Sequence, residues 1–178
     1  MLYKCYEMAS EGQDFDEQFQ MIKDRYNNII MDLGIEDFSL EEDFEIIKGA
    51  FSHMAGRDYA ASRGEFLNSK VLAKYLGFEF IDAANYNGQK EENNILTSYD
   101  EKIDEIVGSR DTVTISKEEY ETLKNSNSYS TTEKAVVPGF YGSMPNGTIK
   151  TFSRGGSDVT GSIIARAAEA KIYENWTD

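Results

Sequence analysis

Ala135-Val136-Val137-Pro138-Gly139-Phe140-Tyr141-Gly142 and, further on, Ser153-Arg154-Gly155-Gly156-Ser157-Asp158 are the stretch from which the architecture can be read. Ala135 to Pro138 is a short apolar run bounded by proline and glycine, the pattern of a buried strand. Met144-Pro145-Asn146-Gly147 reads as a tight turn. Thr148 to Phe152 favours strand, Asp158 to Ala170 favours helix, and Lys171 to Trp176 reads as a closing strand. Helices alternating with strands imply α/β layering around a mostly parallel sheet.

Working back along the chain, residues 13–33 predict an amphipathic helix. Phe15, Phe19, Ile22, Tyr26, Ile29 and Leu33 recur three or four apart, and Gly34 stops the run. Ser39 with Glu42 three positions on has a capping-box pattern for a second helix. Its stripe is Leu40, Phe44, Ile47, Phe51 and Met54, with the single histidine, His53, just past it and read as structural. A third helix is expected from about Asp58 to Leu76, closed by Gly77, and Phe78 to Asp82 then alternates like a strand. The opening residues from Met1 read as helix interior. Residues 84–134 are more polar; within them Asp111 to Ile115 suggests a strand, and Ser116 with Glu119 caps a helix to about Asn125. There is no internal repeat.

The 178 residues are enough for one domain with a real core, and no apolar run approaches the roughly 20 residues that span a bilayer. The N-terminus lacks the continuous apolar core of a signal peptide. A lone cysteine, Cys5, cannot form an internal disulfide, which fits a reducing cytoplasm. A net charge of −14 repels a phosphate backbone and argues against nucleic-acid binding. The acidity is uneven: residues 1–60 carry 14 acids against 5 bases, whereas residues 135–178 carry 4 of each. The acidic first third is most simply a solvated helical face. The neutral last segment, which also holds five of the 14 glycines within Gly139–Gly156, is the place an anionic ligand would meet least repulsion.

Ser153 to Asp158 lies there, between a strand and a helix. Two glycines let the backbone approach a ligand, and a helix N-terminus presents free N–H groups with partial positive charge. Arg154 adds a fork suited to carboxylate or phosphate, and Ser157 or Asp158 can cap the helix. On chemistry alone, a glycine turn with an N-cap and an exposed arginine explains the same residues.

The surrounding motifs go further. Val136-Val137-Pro138-Gly139-Phe140-Tyr141-Gly142, then Arg154-Gly155-Gly156-Ser157-Asp158, then Trp176-Thr177-Asp178 resembles the aspartate kinase family in order and spacing. Ser62-Arg63-Gly64-Glu65 with Leu72-Ala73-Lys74-Tyr75-Leu76 resembles that family's Ser-x-Gly-Glu helix. The resemblance is sharp over about 60 residues and loose over residues 1–57 and 84–134. It implies a three-layer αβα sandwich of the amino acid kinase (carbamate kinase-like) type with a mostly parallel sheet. The 178 residues would be part of one catalytic domain: 1–77 mainly helical, 78–134 a strand with polar loops and a helix, 135–178 the sheet and glycine-loop core.

It also implies chemistry: MgATP phosphorylates the side-chain carboxylate of L-aspartate, opening lysine, threonine and methionine biosynthesis. By motif, Glu65 would bind the substrate's α-amino group and Arg154 a substrate carboxylate, with Ser157 close by. Asp158 would sit near the transferred phosphoryl group, Gly155 and Gly156 against the nucleotide, and Thr177 and Asp178 at the start of its pocket. On the residues alone, Trp176 is read as packing against the sheet and not as a functional residue. ATP and Mg2+ are the implied cofactors, and the full-length parent is expected to be a homo-oligomer.

Three features depart from the family. The family's Lys-Phe-Gly-Gly segment has no counterpart, the only Gly-Gly pair being Gly155-Gly156; Ser153 stands where glycine is usual; and residues 84–134 are long. The chain reads as cut at both ends and, lacking the phosphate-binding lysine, is expected to turn over poorly. The rival readings are another member of the same fold, acting on glutamate, carbamate or a nucleotide, and a non-catalytic kinase-like binding module.

Overall fold

The computed structural model describes residues 1–84, 134–144, 146–152, 155–168 and 170–176. The strand expected at Asp111–Ile115 and the helix expected from Ser116 lie outside these residues. The chain divides into two compact units, Met1–Ile81 with Lys134–Pro138, and Asp82–Glu133 with Gly139–Asp178.

The described part of the first unit comprises α1 (Leu2–Ser10), α2 (Asp16–Asp32), α3 (Glu41–Ser52), α4 (Arg57–Leu76), β1 (Glu79–Phe80) and β2 (Ala135–Val136). The opening residues are helical as expected, with Met1 at the N-cap. On α2, Phe19, Ile22, Tyr26 and Ile30 turn inward. Ile29 is only partly buried and Leu33 is exposed, so Ile30 replaces both expected members of the stripe. A straight helix at 3.6 residues per turn drifts off a strict seven-residue spacing, which brings Ile30 rather than Leu33 under the core. Gly34 takes the expected left-handed turn at φ +63°.

The capping box at Ser39 does not form. Leu40 is fully buried and occupies the N-cap, so α3 starts at Glu41, and Ser39 Oγ accepts from the Glu41 amide at 3.2 Å instead of reaching the third residue of the helix. Leu40, Phe44, Ile47 and Phe51 are buried as expected; Met54 lies beyond the helix end at φ +61° and is mostly exposed. His53 ends α3, with its Nδ1 2.7 Å from the Gly49 carbonyl, a structural role.

Phe15, Phe19, Phe44 and Phe51 meet edge to face at the centre of this unit, with centroids 6.2–6.3 Å apart. Such contacts add to the area burial of the rings. The acidic surface is partly paired: Lys23 bonds Glu41, Lys48 meets Asp16 at 2.9 Å, and Lys70 meets Asp43 at 2.6 Å. The Lys70 ammonium also lies over the Phe66 and Phe80 rings, which ties α4 to β1. Gly77 closes α4 in the left-handed region. β1 and β2 then pair in parallel, Glu79 with Ala135 and Phe80 with Val136. The expected buried strand at Ala135–Pro138 is shorter than its apolar run: Ala135 is exposed and only Pro138 is fully enclosed. Proline has no N–H to continue a ladder.

In the second unit, β3 (Tyr141–Ser143) and β4 (Ile149–Thr151) form an antiparallel pair, followed by α5 (Gly156–Ala167). The expected turn joins them: the Gly147 amide donates to Met144 O at 2.8 Å, with Gly147 at φ +80°. α/β character is therefore present, with one parallel and one antiparallel pair among the described residues. Lys171 to Trp176 is not a strand. It has no ladder partner among the described residues, and Tyr173 instead packs on α5 so closely that a Cβ at Gly161 would lie 2.6 Å from its hydroxyl. No helix among the described residues is long and apolar enough to cross a membrane.

Candidate functional site

The glycine loop of the second unit is shaped by two different constraints. Gly155 is the N-cap of α5 and sits at φ +85°, a conformation that side chains rarely adopt. Gly156 is required by crowding: a Cβ there would lie 2.5 Å from Phe152 Cβ and 3.3 Å from Phe140 Cδ2. Gly139 approaches from the other side, where a Cβ would stand 3.3–3.4 Å from Ser157. Between them Phe140 is held at φ +77°, its amide donating to Thr160 Oγ1 at 3.2 Å and its carbonyl accepting from the Phe152 amide at 2.8 Å. Thr160 in turn donates to Gly156 O at 3.0 Å. Strained backbone held by its surroundings is concentrated at functional sites.

Neither Ser157 nor Asp158 caps α5, contrary to the capping alternative. Gly155 occupies the cap position without a side-chain bond, which leaves Ser157 and Asp158 exposed in the first turn. Asp158 Oδ1 accepts from Asn175 Nδ2 at 3.1 Å, and Oδ2 would stand 3.8 Å from a Cβ at Gly155. A carboxylate in a first helical turn is favoured by the helix dipole. Trp176 does not pack a sheet: it is 87% exposed, its indole N–H directed to Glu174 Oε2 at 3.3 Å. Arg154, Thr177 and Asp178 lie outside the described residues.

Glu65 belongs to the first unit, exposed on α4. The turn that carries it is built from below. Ser62 and Arg63 are buried; the Ser62 hydroxyl donates to Tyr59 O, and Arg63 Nε donates to Ser62 Oγ at 3.1 Å. The Arg63 guanidinium lies between the Tyr59 and Phe66 rings, about 4.5 Å from each centroid. From α2, the Tyr26 hydroxyl donates to Asn68 Oδ1 at 2.9 Å and lies 3.3 Å from Gly64 O.

Burial, and next the Glu65 charge, push the Tyr26 phenol up to about 12, with Arg25 pulling the other way. The folded chain thus keeps this proton to higher pH than the unfolded chain. The stabilisation is complete below pH 10, the ordinary phenol value, and is lost as pH rises through about 12. Lys23, raised mainly by its hydrogen bond to Glu41, acts in the same direction. Tyr26→Phe should therefore flatten, without abolishing, the fall in unfolding free energy from urea titrations between about pH 10 and 12, by up to about 1.4 kcal/mol per pH unit. An unchanged slope in the variant would remove Tyr26 as its source.

Thr160 and Asn175 carry no mark in the sequence. Only the Gly139-Phe140 pair within the quoted motif pointed toward this corner.

No family model matches the chain. Aspartokinase 3 of Bacillus subtilis (strain 168) is 27% identical over 186 residues, covering 100% of this chain and 37% of the relative. An aspartokinase of Thermus thermophilus is 52% identical over 44 residues, which is 25% of this chain and 11% of that protein. The crystal structure of Clostridium acetobutylicum aspartate kinase superimposes with a TM-score of 0.73 at 41% identity, covering 99% of this chain and 36% of that one. The chain belongs to the aspartate kinase family. It spans little more than a third of the length of these full-span aspartate kinase relatives. The aspartate kinase likeness takes in both units, and so includes the Ser62–Glu65 turn and the Gly155–Asp158 loop.

Proposed function

We propose that this chain carries the amino-acid-binding part of an ATP-dependent kinase that phosphorylates the side-chain carboxylate of L-aspartate. The observation that carries the reading is the Gly155–Asp158 loop: a left-handed glycine, a glycine that tolerates no Cβ, and an uncapped helix start, in a chain of the aspartate kinase family. The N–H groups of a helix start, with its positive dipole end, favour an anionic group. Aspartate is a zwitterion with a second carboxylate, so its site needs one anion and cations or N–H donors set apart. Glu65 supplies the anion for the α-ammonium, and Arg154 and the start of α5, with Ser157, supply the other pole.

ATP, when bound, supplies the phosphoryl group. By motif, Gly155 and Gly156 would lie against the nucleotide, Asp158 near the transferred group, and Thr177 and Asp178 at the start of its pocket. Among the described residues no group of three or more His, Cys, Asp or Glu side chains could hold a metal ion. Mg2+ fits as an ion carried in on the nucleotide, since it characteristically takes one or two carboxylates besides phosphate oxygens. The reading extends to a cytoplasmic, homo-oligomeric parent acting in lysine, threonine and methionine biosynthesis.

Calorimetric titration with L-aspartate tests the reading. Heat is expected from the parent chain, and Glu65→Ala should weaken binding at least roughly tenfold, as for loss of a hydrogen bond to a charged group. Absence of heat from the parent would sink it. A second reading is binding without turnover by these 178 residues, which span 37% of the length of their full-span Bacillus subtilis relative. Aspartate-dependent ADP formation in a coupled assay would exclude it.

A further inference from the structure

Asp82 is the one buried acid among the described residues, and nothing in the proposed chemistry uses it. It is 9% exposed, and its Oδ1 accepts from the hydroxyl of Tyr141 at 2.8 Å and from the Ala84 amide at 2.9 Å. Tyr141 is fully buried at the start of β3. Two residues on, the Ser143 hydroxyl donates to Ala84 O at 3.0 Å, so the Asp82–Ala84 turn is clipped to β3 at two points. A buried carboxylate is costly unless it is hydrogen-bonded, so this pair holds Tyr141 in one place.

Tyr141 directly follows the left-handed Phe140. Phe140 bonds Thr160 and Phe152, its ring closes over Gly156, and Gly139 abuts Ser157. A left-handed phenylalanine persists only where its neighbours on both sides are held. On one side those are Gly139 against Ser157; on the other, Tyr141 against Asp82.

We propose that Asp82 is a positioning residue: through the Tyr141 hydroxyl it holds the Phe140 kink, and through that kink the Gly155–Asp158 loop in the shape that receives the amino-acid substrate. The last step rests on the proposed function. Asp82 itself touches no substrate.

The experiment compares Tyr141→Phe, Asp82→Leu and Asp82→Asn in the full 178-residue chain. Two readouts are taken: hydrogen exchange at the Phe152 amide, which bonds Phe140 O, and calorimetric titration with L-aspartate. The Phe44 amide, in the other unit, reports whether a variant has simply unfolded. Tyr141→Phe is expected to speed exchange at Phe152 about tenfold and to weaken aspartate binding about as much, the effect of losing one buried hydrogen bond. Exchange at Phe44 should not change. Asp82→Leu should do the same or more, while Asp82→Asn, whose amide oxygen still accepts both bonds, should stay within about twofold of the parent. Parent-like exchange and affinity in Tyr141→Phe would overturn the proposal. So would faster exchange with unchanged affinity, which makes Asp82 a support for the strand alone. If the parent gives no heat with aspartate, the proposed function fails, and exchange at Phe152 still decides whether Asp82 holds the kink.

Discussion

Gly156→Ala is expected to abolish the heat of aspartate binding and to cost about 1–3 kcal/mol of stability, the range for forcing an extra methyl into a packed site. The added Cβ would stand 2.5 Å from the Cβ of Phe152, a separation that cannot be relieved by swinging a flexible side-chain end. Either β4's end or the start of α5 has to move. Phe140 also lies within 3.3 Å, so the left-handed kink moves with them. Gly155→Ala isolates the backbone term: its Cβ meets only Asp158 Oδ2, at 3.8 Å, but φ is +85°. That variant should lose roughly 1 kcal/mol and retain weakened binding. Urea unfolding with parallel calorimetry checks both. If Gly156→Ala matched the parent in midpoint and affinity, the loop would not be the crowded cradle described.

Phe44→Ala should carry the largest purely structural effect, a loss of about 3–5 kcal/mol. The ring is fully buried, meets Phe19 and Tyr26 at centroid distances of 6.3 and 6.1 Å, and has the Lys23 ammonium 5.8 Å above it. Its removal opens a cavity among aromatic rings on two helices, which cannot close without moving α2 against α3. Against a typical total of about 5–15 kcal/mol, the first unit would be marginal at 37 °C. Ile46→Ala, on the exposed side of the same helix at 59% exposure, serves as the control and should stay within about 0.5 kcal/mol. A cost below about 1 kcal/mol at Phe44, read from urea midpoints by circular dichroism, would mean that the aromatic cluster does not hold this unit together.

The site was legible in the sequence only in part. Gly155, Gly156 and Asp158 stood out because a glycine pair before a helix has a local signature, and Glu65 because its turn matched a family motif. Nothing local marked Asp82: its partner Tyr141 is 59 positions away. Phe140 carries no sign in its own identity of a left-handed backbone, which its bonds to Thr160 and Phe152 impose.

The sequence by itself determined α2, α3 and α4, their stops at Gly34 and Gly77, and the turn at Gly147. These depend on periodicity and glycine freedom, which act over a few neighbouring residues. Only the tertiary structure decided that Leu40 rather than Ser39 begins α3, since the core takes the leucine. It decided that Ile30 turns inward in place of Leu33. It also left Lys171–Trp176 off any described sheet, because a strand is defined by a partner's hydrogen bonds and this segment packs Tyr173 on Gly161 instead. Local interactions are written in adjacent residues; those that close over distance exist only once the chain has brought both partners together.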